Sequence, residues 1–209
     1  GKNIVIANPN APTGLALSVA EIEKIVASNP DHVVMIDEAY VDFGAESVVP
    51  LIHKYDNLLV TQTFSKSRSM AGARLGFGIG CADLISDLRT IKYSTNPYNV
   101  NRMTMAAGTA ALLDNDYYMD NCRKIMETRE DTKRELEALG FAVTDSKANF
   151  LFASSDKIEG EALYRELKRR GILIRHFGAE RIRNYNRITV GTPAQMAALI
   201  REIKSILRR

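Results

Sequence analysis

One lysine stands among hydroxyl residues in the segment TFSKSRSMAGAR, and an arginine follows it eight positions later. Lys66 comes after Thr63 and Ser65, and the arginine is Arg74. A lysine amine is a nucleophile toward carbonyl carbons, and a guanidinium group can bind a phosphate through two parallel hydrogen bonds. The segment is therefore either a solvated surface loop or a site of covalent lysine chemistry beside a bound anion.

Two further polar clusters follow apolar runs in the first half of the chain. NPNAPTG (8–14) comes after IVIA, and DEAY (37–40) comes after VVMI. Each cluster taken alone is typical of an ordinary turn. If the strands are neighbours, however, their loops meet at the carboxyl edge of a sheet, where open α/β folds bind ligands. A nucleophilic amine, a carboxylate for a ring nitrogen (Asp37) and donors for a phosphate are together what pyridoxal phosphate requires.

The apolar runs predict the elements that position these loops. Ser18 followed by Glu21 is a capping-box signature, and it predicts a helix with Ile22, Ile25 and Val26 on its buried face. Buried strands are predicted at residues 3–8, 32–37, 57–64 and 75–80. Continuous apolar strands separated by a helix favour an α/β fold with a predominantly parallel sheet covered on both faces.

The second half predicts helices and then a smaller α+β unit. A long amphipathic helix over residues 119–139 is expected to end at Gly140, and Thr192 and Pro193 begin a last helix. Between them we expect a helix at 159–170 and strands at 141–145, 148–154, 171–176 and 186–191. We place a domain boundary near residue 118, so that a partial large domain covers 1–118 and a small C-terminal domain covers 119–209.

Composition excludes several classes of function. A formal net charge of +3 is too small to argue for nucleic acid or a membrane surface as a partner, and no apolar run is long enough to span a bilayer. Cys81 and Cys122 match no metal or redox spacing, and the three histidines are scattered, so neither a metal site nor a Ser-His-Asp triad is predicted. Two free thiols are typical of a cytoplasmic protein.

Five motifs resemble those of the fold type I pyridoxal-phosphate enzymes, the aspartate-aminotransferase-like family. They are NPNAPTG (8–14), VVMIDEAYVDF (33–43), TFSKSRSMAGARLGFGIG (63–80), NPYNVN (96–101) and NRITVGT (186–192). The motifs span nearly the whole chain in family order, and SK followed by AGxRxG is highly specific. NPYNVN together with DEAYVDF favours the histidinol-phosphate branch of the family.

The resemblance implies a role for each cofactor-binding residue. Lys66 would form the Schiff base with pyridoxal phosphate and carry a proton between the substrate Cα and the cofactor. Asp37 would pair with the pyridine nitrogen, and Tyr40 would hydrogen-bond the phenolic oxygen. The phosphate would be held by Thr63, Ser65 and Arg74.

The resemblance also implies substrate contacts and shows two departures. Arg187 would bind the substrate α-carboxylate, and Arg175 would bind its phosphate end unless it is a plain surface arginine. Family members often carry an asparagine directly before Pro-Thr-Gly, but this position is Ala11 here. Asn10, one residue earlier, replaces it only if the loop path shifts. The segment after Lys66 is also more polar than the family pattern.

The activity implied is an amino transfer between a small-molecule amino donor and a 2-oxo acid in a cytoplasmic homodimer. The expected reaction joins histidinol phosphate and 2-oxoglutarate in histidine biosynthesis. Alternatives on the same frame are a threonine-phosphate decarboxylase and an aromatic aminotransferase. The chain opens at what would be the middle of a family member, so we also consider a catalytically inactive, self-associating piece with exposed apolar surface.

Overall fold

The computed structural model describes residues 1–208 of the 209-residue chain. Contacts between Cα atoms group the residues into two units. The first unit contains Gly1–Asn10 and Ala16–Asn121, and the second contains Ala11–Leu15 and the chain from Cys122 onward. The domain boundary near residue 118 remains our proposal.

The first unit is built on a four-stranded sheet in the order β1-β2-β3-β4. Strands β1, β2 and β3 are parallel, and β4 runs antiparallel to β3. The predominantly parallel sheet predicted from the apolar runs is thus confirmed. The strands are Ile4–Ala7, Val34–Asp37, Leu58–Thr63 and Gly76–Gly80.

One face of this sheet is covered by helix α1 (Val19–Ala27). The predicted capping box is present, because the Glu21 amide donates to the Ser18 hydroxyl at 3.3 Å and the Ser18 amide donates to the Glu21 carboxylate at 2.8 Å. Ile22 and Val26 are completely buried. They pack in one cluster with the strand residues Val34, Ile36, Leu58 and Val60.

The opposite face of the sheet is only partly covered. Side chains alternate along a strand, so Val5, Met35 and Leu59 point away from helix α1. Leu59 is 8% exposed whereas Val5 is 66% exposed. The prediction of a sheet covered on both faces is therefore wrong at β1. Three helices follow the sheet, α2 (Ala82–Thr95), α3 (Arg102–Leu113) and α4 (Asn115–Ala138).

The second unit has an antiparallel sheet in the order β5-β6-β8-β7. Its strands are β5 (Phe141–Val143), β6 (Phe150–Ser155), β7 (Arg175–His176) and β8 (Asn186–Thr189), with helices α5 (Gly160–Arg169) and α6 (Pro193–Leu207). One face of the sheet packs against helices α4, α5 and α6 and forms the aliphatic core with them. Its buried members include Leu136, Leu151, Leu163, Ile188, Leu199 and Ile203.

The strand predicted at 171–176 is formed only by its last two residues. The reason is the end of helix α5, where the Gly171 amide donates to the Lys168 carbonyl and the Ile172 amide to the Leu167 carbonyl. Gly171 has φ +79°, the left-handed conformation that this helix cap requires. Residues 171 and 172 close the helix and therefore cannot begin a strand.

Candidate functional site

The polar loops of the first unit meet at one edge of its sheet. Ala7, Asp37 and Thr61 are register partners across β1, β2 and β3. Because the three strands are parallel, their carboxyl ends and the loops that follow them lie side by side. The expectation that these loops converge is confirmed.

Asp37 is the last residue of β2 and is half-buried. It lies on the face away from helix α1, as does Ala7 on β1. Its Oδ1 atom accepts the Ala39 amide at 3.0 Å. A carboxylate can accept several further hydrogen bonds, so Asp37 is a fixed anion at the edge with capacity for another donor.

The Glu38 side chain lies on the opposite face of the sheet from Asp37. It makes structural hydrogen bonds that the sequence analysis did not predict. It is 2% exposed. Its carboxylate accepts the Ser47 hydroxyl at 2.7 Å, the Val48 amide at 2.6 Å and the Gln62 side-chain amide at 2.8 Å. The alternation along β2, which puts Glu38 on the face of Ile36, is the sequence signal for its burial. Glu38 therefore fastens the end of β2 to β3.

Lys66 lies in the turn that follows β3, and its side chain approaches the neighbouring loop. The Lys66 Nζ atom is 5.2 Å from the centroid of the Tyr40 ring, a distance at which a cation is attracted to the ring face. The turn is closed by the Ser69 amide, which donates to the Lys66 carbonyl at 3.1 Å. The structure thus brings together Lys66 and Tyr40, two candidate site residues on adjacent loops.

A hydroxyl cluster precedes Lys66. The Thr63 hydroxyl donates to the Ser65 hydroxyl at 3.0 Å and accepts the Ser65 amide at 3.1 Å. Arg74 follows with φ 54°, and its Nη1 atom donates to the Ala71 carbonyl at 2.8 Å. Arg74 is exposed and has five N–H donors in all. Since Gly76 is the register partner of Thr63, Arg74 lies at the same end of the β3–β4 pair as the hydroxyls.

The loop after β1 is fixed by Asn8. This residue is 2% exposed; its side-chain amide donates to the Leu17 carbonyl at 3.1 Å and its Oδ1 accepts the Leu17 amide at 2.7 Å. Asn10 is half-buried and Ala11 is exposed. The role of Asn10 as a cofactor ligand remains a prediction.

Arg175 and Arg187 are brought together in the second unit. They are directly opposite each other across β7 and β8. Their guanidinium carbons lie 5.7 Å from the Phe177 ring and 5.1 Å from the Phe150 ring, respectively. Like charges directly opposite in an antiparallel pair repel, and an anion bound between them would relieve the repulsion. This aromatic and cationic face is the reverse of the aliphatic core face.

No metal centre is found in the structure as described. Over residues 1–208, no group of three His, Cys, Asp or Glu side chains could hold a metal ion. No helix in the same range is long and apolar enough to cross a membrane.

One edge of the sheet thus carries a lysine, a carboxylate and a hydroxyl–arginine cluster, and comparison of the sequence with known families shows where the chain belongs. The model of the aminotransferase class I and II family matches residues 1–203. The chain therefore belongs to this family, and the resemblance seen in its motifs is confirmed.

A curated relative and two solved structures resemble the chain closely. It is 53% identical over 206 residues to the histidinol-phosphate aminotransferase of Brachyspira hyodysenteriae, covering 98% of this chain and 58% of the relative. The Sinorhizobium meliloti histidinol-phosphate aminotransferase, solved in complex with pyridoxal-5'-phosphate, superposes with a TM-score of 0.87 at 26% identity, over 98% of this chain and 56% of that one. The L-threonine-O-3-phosphate decarboxylase of Porphyromonas gingivalis has a TM-score of 0.85 at 26% identity, over 98% of this chain and 64% of that one.

These comparisons confirm the α/β fold class. They also show that the chain spans 58% of the length of the curated relative.

Proposed function

We propose that the chain carries the lysine centre of a pyridoxal-phosphate-dependent aminotransferase that acts on histidinol phosphate and 2-oxoglutarate in histidine biosynthesis. One observation carries this proposal: Lys66 lies against Tyr40 beside the strand end that presents Asp37. The identity of 53% to a histidinol-phosphate aminotransferase supports the choice of substrate.

The residues present fit pyridoxal phosphate. When bound, this group serves as an electron sink for the carbanion formed at the substrate Cα. The Lys66 amine would be the nucleophile for its aldehyde, and the Asp37 carboxylate would keep its ring nitrogen protonated. Tyr40 and Asn10 are proposed to donate to its phenolic oxygen. Its phosphate is assigned to the hydroxyl cluster and the guanidinium group, Thr63, Ser65 and Arg74.

Lys66 is proposed to act twice. Its amine would hold the cofactor through the aldehyde and, once free, would act as a base that takes the proton from the substrate Cα. The Tyr40 ring, 5.2 Å from the Nζ atom, keeps the amine near its place between the two events.

The arginine pair on β7 and β8 is proposed to bind the anionic ends of the substrate. Arg187 is assigned to the α-carboxylate and Arg175 to the phosphate. Support comes from their direct opposition across the two strands, which concentrates positive charge on one face. An arginine that only faces solvent would not need a second arginine directly opposite it.

Substrate profiling tests the proposal. The enzyme is loaded with pyridoxal phosphate and assayed with histidinol phosphate, threonine phosphate and phenylalanine as amino donors. The proposal predicts glutamate formation from 2-oxoglutarate with the highest kcat/KM for histidinol phosphate. Carbon dioxide release from threonine phosphate would favour the decarboxylase reading, which the similarity to the Porphyromonas gingivalis structure keeps open.

A cytoplasmic homodimer is proposed as the working form of the parent enzyme. Large apolar side chains are exposed on helices α2 and α3 and would be covered by such an interface, among them Leu88, Ile91, Met103 and Leu113. Cys81 and Cys122 are not joined in a disulfide, which agrees with a reducing compartment. Light scattering on this chain separates a dimer from the larger, heterogeneous species that an inactive self-associating piece would form.

A further inference from the structure

We propose that Asp42 and Ser67 are positioning residues that set the place of the Lys66 amine. The proposal rests on the proposed function of Lys66. Ser67 directly follows Lys66 and is 7% exposed, and its hydroxyl donates to the Asp42 carboxylate. Neither residue has a role in the assignments above.

The hydrogen bond joins two loops that the sheet itself does not join. The ladder between β2 and β3 ends at Asp37 and Thr61, after which the Glu38 amide donates to the Thr61 carbonyl at 2.8 Å. The amides of Phe43 and Gly44 donate to carbonyls of their own turn, and the amides of Ser69 and Met70 donate to carbonyls of theirs. The Ser67–Asp42 hydrogen bond is a side-chain connection between the two turns.

Asp42 has a rigid support that also carries Tyr40. It lies in a 3₁₀ turn, Val41–Phe43, and the two flanking side chains are 7% and 1% exposed, so the turn is anchored in the core. Tyr40 is the residue immediately before this turn. One short segment thus contacts the Lys66 amine through its aromatic ring and holds the next residue, Ser67, through a carboxylate.

Arg68 anchors the other side of the Lys66 turn. Its Nη2 atom donates to the Asn115 side chain at 2.7 Å and its Nη1 atom to the Ala111 carbonyl at 3.4 Å. The guanidinium carbon lies 5.3 Å from the Tyr118 ring centroid. Arg68, one of the polar residues after Lys66 that depart from the family pattern, is thus explained as an anchor. With Arg68 fixed at the α3–α4 junction, the Asp42–Ser67 bond leaves the amine little lateral freedom.

The test measures the reactivity of Lys66 itself in the cofactor-free chain. Acetic anhydride labels the lysines, and peptide mass mapping gives the rate for Lys66 relative to the exposed Lys24. Ser67→Ala and Asp42→Ala remove the hydrogen bond. Asp42→Asn keeps an acceptor oxygen and serves as the conservative variant. Ser47→Ala is the matched control, since it removes a serine hydroxyl bonded to another carboxylate, that of Glu38.

The expected result is specific to Lys66. Loss of a hydrogen bond to a charged group raises the labelling ratio of Lys66 to Lys24 about tenfold in Ser67→Ala and Asp42→Ala. Asp42→Asn and Ser47→Ala are expected to keep the wild-type ratio. Equal ratios in the wild type and both alanine variants would overturn the positioning role.

The result of the labelling experiment can be distinguished from a failure of the proposed function. The labelling uses no cofactor, so it reports the placement of the amine alone. A pyridoxal-phosphate titration of the wild-type chain in parallel tests the proposed function. A chain that takes up no cofactor but shows the labelling pattern refutes the cofactor proposal and retains the positioning inference.

Discussion

The Lys66 amine and the Asp37 carboxylate come from different strands and have different supports. Lys66 depends on the closed turn after β3 and on the Tyr40 ring, 5.2 Å from its Nζ atom. Asp37 is held by β2 and by the Ala39 amide, 3.0 Å from its Oδ1. The two groups lie on different residues, so the proposed chemistry can be tested one residue at a time.

Replacing Asp37 tests its proposed pairing with the ring nitrogen. Asp37→Asn keeps the size of the side chain and removes its charge, so the electron sink is weakened. We expect kcat for amino transfer to fall by about a hundredfold or more, the usual effect of removing one preorganised electrostatic contact. Asp31→Asn, at an exposed carboxylate before β2, is the control and should leave kcat unchanged. Equal kcat in the two variants contradicts the assignment.

Replacing Arg187 tests the substrate contact. Arg187→Lys keeps the charge but loses the planar fork that binds a carboxylate through two hydrogen bonds. The KM for the amino donor should rise about tenfold or more, as for a lost hydrogen bond to a charged group. Arg181→Lys, at an exposed arginine of the same unit, should not change it. An unaltered KM in Arg187→Lys would refute the role.

The sequence predicted the residue types of the site but not the contacts between them. Residues with a fixed spacing within one motif, such as Lys66 and Arg74, could be singled out as candidates from the chain alone. The bond between Ser67 and Asp42 could not, because it joins residues 25 positions apart. Whether two loops contact each other depends on how far each extends beyond its strand. The pattern of residues within one loop does not indicate this distance.

Local capping interactions determine where the helices begin and end. The Thr192 hydroxyl accepts the Gln195 amide at 3.3 Å, and Pro193 begins α6 as predicted. These starts could be read from the sequence because the donor and acceptor are three residues apart. The short β7 could not, because the pattern of alternating apolar residues at Ile172 and Ile174 is the same whether or not they join a strand. At Ile172 the cap of helix α5 decides between the two, because the Ile172 amide donates to the Leu167 carbonyl.

The core of the second unit depends on helix α6. Ile203 has no exposed surface and belongs to the cluster with Leu151 and Ile188. Ile203→Ala should lower the free energy of unfolding by about 2–5 kcal/mol, from lost burial and the remaining cavity. Urea denaturation measures this loss. Leu173→Ala, at a residue 77% exposed, is the control, and equal losses in both variants would contradict the packing described.

An ion pair connects α6 to the end of α5 and makes the stability of the fold depend on pH. Arg170 donates to Glu202 at 2.8 Å, and this hydrogen bond holds the pKa of the Glu202 carboxyl below its usual 4.5. A depressed carboxyl pKa stabilises the folded state above the unfolded value, and the contribution disappears as the pH falls through the folded value.

Glu202→Gln should therefore lower Tm at neutral pH and match the wild type at a pH below the folded-state pKa of Glu202, where the carboxyl is protonated in both states. Thermal unfolding at the two pH values measures the difference. Glu137→Gln, at an exposed carboxyl of helix α4, should leave Tm unchanged at both. A Tm difference between the wild type and Glu202→Gln that stays the same at both pH values contradicts the linkage.

At the scale of the whole molecule, the two units divide the proposed work. The residues proposed to bind the cofactor lie in the first unit, and the arginines proposed to bind the substrate anions lie in the second. The α/β fold class was predictable because each apolar run predicts one strand and each helical periodicity predicts one helix. The one-sided exposure of β1 at Val5 was not, because an apolar run looks the same whether one or both faces are covered.

The most direct measurement of the central claim is an absorbance titration of the chain with pyridoxal phosphate, followed by borohydride reduction and peptide mass mapping. The account predicts a saturable absorbance change, with the reduced adduct on Lys66 and none in Lys66→Arg. Lys24→Arg, at an exposed lysine of α1, should behave as the wild type. An adduct scattered over exposed lysines, or no saturable change, would contradict the assignment of Lys66 as the cofactor-binding lysine of this chain.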